Sequence, residues 1–178
     1  MATGRDLKLT GAVGEFLVAA ELCRRNLLAT PFSGNVPHYD IIASGPQGGH
    51  LAIQVKTINR GNWQFNIRQF VDVRLDGQRQ LLGEPKPEPF PNLQCVLVIL
   101  GTNEAPDRFF VLNWVELRDL LIAGHTRYLA KHGGVRPRAA DSSHVALRIS
   151  EVKHFEGQWG SLVEASKGNP CRQREVTS

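Results

Sequence analysis

Leu51-Ala52-Ile53-Gln54-Val55-Lys56-Thr57 is the stretch on which the reading of this chain turns. Leu51, Ile53 and Val55 alternate with Ala52, Gln54 and Lys56, the period of a β-strand with one apolar face. The other face presents an amide and an ammonium side by side. A lysine in the middle of a core strand is costly unless its charge reaches solvent or an anion. The residues alone leave two readings open: the wet face of a two-sided sheet, or a site that receives an anion.

Outward from this strand, the chain before it reads as a helix and then an antiparallel meander. Ser44-Gly45-Pro46-Gln47-Gly48-Gly49 is a strong turn signal, and strand-like runs occupy Tyr39 to Ala43 and Leu27 to Phe32. Pro31, Ser33, Gly34, Asn35 and Pro37 punctuate the gap between those two runs. Asp40 lies within the second run, although aspartate is poorly suited to strands. It faces water at an edge, or it needs a partner or a metal. A helix is expected from about Leu9 to Asn26, with Val13, Phe16, Leu17, Ala20, Cys23 and Leu27 as its apolar stripe. Asp6 or Thr10 is a candidate cap, and Arg24 and Arg25 suit the last turn. Gly11 and Gly14 mark either a frayed start or a close approach to another backbone. Glu15 flanks the stripe, about 100° around the helix from Phe16, and alone reads as a solvated glutamate.

Beyond the strand, Trp63, Phe65 and Ile67 alternate and predict another strand, and Val71 to Leu82 is expected to be partly helical. Glu84 to Pro91, with four prolines, is expected as an extended loop. Cys95 to Leu100 is a continuous apolar run, the pattern of a strand buried on both faces. Phe109 to Leu112 is its expected neighbour, reached through a polar connection from Thr102 to Asp107. A helix is expected over Asn113 to Ile122, then a basic, glycine-rich loop from Lys131 to Arg138. A short strand follows over Val145 to Ile149, and Phe155, Trp159 and Leu162 belong to a closing helix. Residues 1–165 are expected to form one domain, and 166–178 a loose polar tail.

Composition narrows the class. The 178 residues are 42% hydrophobic and 21% charged, close to globular averages and unlike a disordered chain. Lys and Arg number 21 against 17 Asp and Glu, a mild basic excess that permits nucleic acid without specifying it. Cys23, Cys95 and Cys171 form no CxxC pair, which argues against a disulfide framework and for a reducing compartment. The six histidines lack zinc-ligand spacing, and no phosphate-cradling glycine motif appears. With no long apolar run and no secretory pattern at the N-terminus, a soluble cytoplasmic protein without membrane contact is expected.

Glu15, Asp40, Gln54 and Lys56 suit one chemical task. Carboxylates hold a hard divalent cation through oxygen. A bound metal stabilises charge growing on a phosphate, and a lysine beside it positions a water and screens that charge. Gly11-Ala12-Val13-Gly14-Glu15, then Tyr39-Asp40-Ile41-Ile42, then Ile53-Gln54-Val55-Lys56-Thr57 resembles the PD-(D/E)XK nuclease superfamily, in its Holliday-junction-resolvase-like branch. The resemblance covers about Leu9 to Thr57. It implies an α/β, restriction-endonuclease-like core: an N-terminal helix, a β-meander and a mixed central sheet flanked by helices.

The resemblance further implies a DNA endonuclease dependent on Mg²⁺ or Mn²⁺, working as a homodimer. In that scheme Asp40 is a metal ligand, Lys56 the catalytic lysine and Glu15 a supporting acid. Gln54 stands at the second acid position, and Val55 offers its backbone carbonyl to the metal. Gln54 departs from the family's Asp or Glu, and Pro37 precedes Asp40 by three residues instead of one. The first departure keeps open an inactive nuclease-fold module that binds nucleic acid or a protein partner. Candidate DNA contacts are Arg60 and Arg68 after the motif strand, with Arg74 and Arg79 near them, and Lys131, Arg136 and Arg138 in the basic loop. His38 is a minor candidate for substrate contact.

Overall fold

The computed structural model of the chain describes residues 4–32 and 37–167. Its centre is a five-stranded mixed sheet. β1 (Leu28–Pro31), β2 (Ile41–Ser44) and β3 (His50–Ile58) form the expected antiparallel meander. β7 (Gln94–Ile99) pairs with β3 in parallel, and β8 (Arg108–Asn113) closes the far edge antiparallel to β7. The spatial order is β1-β2-β3-β7-β8, so the motif strand β3 is central.

Alternation divides the side chains of this sheet between two cores. Ile41, Ala43, Leu51, Ile53, Val96, Val98 and Val111 face the N-terminal helix α1 (Gly4–Cys23) and the last helix α4 (Trp159–Ala165). Ala52, Cys95, Leu97, Phe110 and Leu112 face the other way. That second face is covered by a two-stranded sheet, β4 (Trp63–Asn66) with β9 (His144–Leu147), and by the long helix α2 (Trp114–Lys131). Asn113 and Glu116 form a reciprocal capping box that starts α2.

Several expectations are corrected. α1 begins at Gly4, so Asp6 and Thr10 lie inside it, and Arg24 and Arg25 follow its end. There Arg24 and Arg25 pair with Glu21. The buried face of α1 is Gly14, Val18, Ala19 and Leu22, rotated from the expected stripe; Val13 is 45% and Phe16 67% exposed. Apolar spacing misled here because the closest contact with the sheet is made by a glycine. A Cβ on Gly14 would lie 1.8 Å from Thr57 Oγ1 on β3, whereas Gly11 meets nothing within 4 Å. The close approach is thus to a side chain and not to a backbone.

Val71 to Leu82 is not helical. β5 (Val71–Asp76) and β6 (Arg79–Pro85) form an antiparallel hairpin, which also takes Glu84 and Pro85 out of the expected loop. Gly77 turns the hairpin at φ +58°, a conformation that glycine adopts without strain. α2 runs nine residues past its expected end at Ile122, through Gly124, because His125 is anchored inside. Ile149, expected at the end of a strand, starts the short helix α3 (Ile149–Val152); Phe155 ends the 3-10 turn after it, and the chain bends at Glu156–Gly157 before α4. Of the expected tail only Ser166 and Lys167 are described; Ser166 is buried, with its hydroxyl donating to Val163 O at 2.7 Å. The rest of that expectation, like Ser33 to Asn35 and Cys171, lies outside the described residues.

Candidate functional site

Asp40 immediately precedes β2 and is not inside it, correcting the expected strand position. Its backbone remains tied to the sheet, with its N–H donating to Ile53 O at 2.9 Å and its carbonyl accepting from Phe32 N at 3.0 Å. Its carboxylate turns to β3, where Oδ2 accepts the Val55 N–H at 2.7 Å. The N–H and C=O of a strand residue point to the same side. The Val55 carbonyl is therefore directed to the same edge as the Asp40 carboxylate.

Glu15 reaches this place from α1. It is one residue from the Gly14–Thr57 contact, so the close packing of helix on strand fixes how near it comes. Burial raises its pKa above the ordinary carboxylate value, and the charge of Asp40 raises it further. Burial also raises the pKa of Asp40, against the opposing pull of the Val55 N–H and the Lys56 ammonium. Two half-buried carboxylates that disfavour each other's charge, with an amide and a carbonyl alongside, make a place where a cation relieves repulsion. Among the described residues no three His, Cys, Asp or Glu side chains converge as a metal site. The groups that could hold a hard divalent cation here are the carboxylates of Asp40 and Glu15, with the Val55 carbonyl alongside.

Lys56 and Gln54 share the face of β3 that looks to β4. The Lys56 ammonium lies 5.7 Å from the centre of the Phe65 ring. Trp63 Nε1 donates to the Lys56 carbonyl at 3.0 Å and to the Val98 carbonyl at 3.3 Å, clamping the motif strand to β7. Sequence reasoning named neither aromatic as part of the site. The available signal was the Trp63–Phe65 alternation, which puts both rings on one strand face shortly after Lys56. Cys95, opposite Gln54 in the parallel register, is buried, and desolvation pushes its thiol pKa far up, leaving it inert.

The candidate nucleic-acid residues are spread over several elements, two of which meet where Arg79 bridges to Val135 in the basic loop. Arg60 follows β3 and is exposed; Arg68 lies in the 3-10 turn after β4, where its carbonyl accepts from Lys86 Nζ at 2.8 Å. Arg74 and Arg79 sit on the β5–β6 hairpin. Lys131 and Arg136 line a different cleft, between α2 and β9, and Arg138 is exposed in the loop beyond it. His38 is exposed in the bend before β2, with φ +77°, and does not share a strand face with Asp40.

No family model matches the chain, and no curated protein does. Among solved structures, Archaeoglobus fulgidus Hjc, a Holliday junction resolvase from an archaeal hyperthermophile, aligns over 81% of this chain and 88% of its own, at 14% identity and TM-score 0.44. The bacterial homing endonuclease I-Ssp6803I aligns over 91% of this chain and 98% of its own, at 14% identity and TM-score 0.50. The chain shares the fold of that homing endonuclease. Glu15, Asp40, Gln54 and Lys56 stand on the first helix, before the second strand and on the third strand of this fold. Among the described residues no helix is long and apolar enough to cross a membrane.

Proposed function

We propose that the protein is an endonuclease that hydrolyses phosphodiester bonds of DNA with the help of Mg²⁺ or Mn²⁺. The observation that carries this reading is the Asp40 carboxylate, which accepts the Val55 N–H at 2.7 Å within reach of the charges of Glu15 and Lys56.

Asp40 and Glu15 would hold the cation, with the Gln54 amide oxygen and the Val55 carbonyl as the further protein donors. Bound there, the cation would supply positive charge against the negative charge growing on the phosphate. Lys56 directs its ammonium to a non-bridging phosphate oxygen and to the attacking water, orienting one against the other. Water adds to phosphorus and gives a proton to solvent; the opposite P–O ester bond breaks, and the departing oxygen takes a proton from solvent, leaving one phosphomonoester end and one hydroxyl end. Trp63 and Phe65 keep Lys56 in place throughout. Gln54 brings no charge, so the site carries two carboxylates, and metal affinity is weaker than with an acid at that position.

The test incubates the protein with supercoiled plasmid, branched DNA and RNA in Mn²⁺, Mg²⁺ or EDTA. The reading predicts metal-dependent cutting of DNA, strengthened at low metal by Gln54→Glu. No cutting of any DNA in either metal contradicts it. One observation favours a second reading, a binding module without catalysis: Gln54 stands where an acid would complete the charge. Salt-dependent DNA binding with no cutting, even in Gln54→Glu, identifies that case.

We extend the reading to a homodimer built on the exposed α1 ridge of Leu9, Val13 and Phe16. A two-fold contact needs only one such patch per chain. Light scattering at the mass of two chains, reduced to one by Phe16→Glu, supports this; one chain at all concentrations refutes it.

A further inference from the structure

A second chemically distinctive place lies away from the carboxylates. Between α2 and the β4–β9 sheet is a cleft of about 540 Å³. Arg127, Lys131, Arg136 and Arg148 line it, against a single carboxylate, Glu151, whose Oε1 accepts from Arg127 at 2.8 Å. His132 and His144 add two imidazoles to the same walls. Four cations gathered around one acid repel each other, so the cleft favours an anionic occupant.

The walls are built and held before any ligand arrives. The Arg136 guanidinium lies 5.1 Å from the centre of the Tyr128 ring and donates to the His144 carbonyl at 2.6 Å, so its direction is fixed. Tyr128 in turn packs on His132, with ring centres 4.7 Å apart. Beneath them His125, buried, meets Gln80 Oε1 through Nε2 at 2.9 Å, and the Gln80 amide nitrogen donates to the carbonyls of Ala140 and Ser142. Because that amide nitrogen is committed to two carbonyls, its oxygen is the acceptor and His125 Nε2–H the donor. This network pins the loop after α2 to the β5–β6 hairpin, as does Gln80 N donating to Gly134 O at 2.9 Å.

The volume is in the range of roughly 300–1,000 Å³ typical of pockets that enclose a small ligand. A duplex presents a convex backbone with its bases stacked inside and does not enter such a cleft. One unpaired nucleotide does: its phosphates meet Lys131, Arg136 and Arg148, and its base meets the rings of Tyr128 and His132. We propose that the α2–β9 cleft is a binding site for an unpaired DNA strand, which selects substrates with a single-stranded segment. This rests on the reading that the protein acts on DNA, and it narrows that DNA to a partly unpaired one.

The test is fluorescence anisotropy in EDTA, where no cutting occurs. The probes are a labelled strand of about 12 nucleotides, within the usual site sizes of single-strand binders, and the blunt duplex of the same sequence. The strand is expected to bind about tenfold tighter than the duplex, as ordered cations and rings each reward it. Lys131→Gln and Arg148→Gln, both at exposed positions, should each weaken the strand roughly tenfold and flatten its salt slope by about 0.7. Glu151→Gln keeps a hydrogen-bonding side chain, removes the opposing charge and should tighten binding.

Three outcomes overturn the proposal: equal or tighter duplex binding, strand affinity unchanged in Lys131→Gln and Arg148→Gln, or displacement of the strand by inorganic phosphate at similar concentration. If plasmid is cut in Mn²⁺ but the strand binds no better than duplex, the cleft assignment falls and the nuclease reading stands. If nothing is cut while the strand binds with this charge dependence, the cleft assignment stands and the nuclease reading falls.

Discussion

Replacing Gly14 with alanine should destabilise the protein and disable the site, whereas Gly11→Ala on the same helix should stabilise it. The added Cβ at position 14 would lie 1.8 Å from Thr57 Oγ1 and 2.9 Å from Thr57 Cβ, where ordinary contact begins at 3.4 Å. Rotating the threonine removes the first clash and leaves the second, so α1 and β3 must part. Overpacking of this kind costs about 3 kcal/mol at the upper end of the usual range. Alanine regains about 1 kcal/mol over glycine inside a helix. The net loss is then about 2 kcal/mol, a fall in Tm of roughly 4–8 °C for a chain of this size.

At Gly11 only the helix gain operates, because nothing lies within 4 Å; Tm should rise by roughly 2–4 °C. The displaced helix also carries Glu15 away from Asp40, and a misplacement of about 1 Å at a reacting centre can cost roughly 100-fold in rate. Thermal melting and plasmid cleavage measure both effects. The reasoning is refuted if the two alanine variants shift Tm in the same direction, or if Gly14→Ala cuts DNA at the rate of the unaltered protein.

Three further outcomes follow from the same structure. Asp40 has a folded-state pKa above its ordinary 3.8, so its ionised form destabilises the fold above that raised pKa, and the penalty vanishes as pH falls to about 3.8. In EDTA at neutral pH, Asp40→Asn should therefore melt higher than the unaltered protein, with the gap closing in acid; added Mn²⁺ should narrow or reverse it, because only the carboxylate gains from the metal. Burial, and then the Arg136 charge, lower the pKa of His125 to about 4, so stability should fall as pH drops from 6.5 towards 4. His125→Leu should flatten that dependence in urea titrations and cost about 1–3 kcal/mol at neutral pH, since the Gln80 oxygen loses its donor. Trp63→Phe removes both bonds from Nε1; denaturation should show a loss of about 1–3 kcal/mol, and cleavage should fall with it as Lys56 loosens.

Strands β1, β2, β3, β7 and β8 were legible because alternation, or an unbroken apolar run, matches what a half-buried or fully buried strand requires. Lys56 stood out because it sits where a strand alone would not choose it; Asp40 stood out as a strand residue, and the fold sets it just before β2. The inward face of α1 was not legible, since Gly14 adds nothing to an apolar pattern yet makes the tightest contact with the sheet. The β5–β6 hairpin carried its signal in Gly77, the first residue of the two-residue Gly77-Gln78 turn, which outweighs the partial helical spacing of Val71 to Leu82. The length of α2 depends on His125 finding Gln80 on a distant strand, a pairing that no local window contains. The same holds for Trp63, whose role is visible only once β4 lies over the motif strand. The basic residues around the α2–β9 cleft were partly named as a loop, but Arg127, Arg148 and His144 join them only through the fold.

The most direct test of the nuclease assignment is single-turnover cleavage of one DNA substrate in Mn²⁺ by the unaltered protein, Asp40→Asn and Lys56→Met, each checked for folding by its melting curve. The account predicts cutting by the unaltered protein and a loss of roughly 100-fold or more in each folded variant, the scale on which removing one electrostatic group slows such reactions. Cutting at the unaltered rate by either folded variant would contradict it.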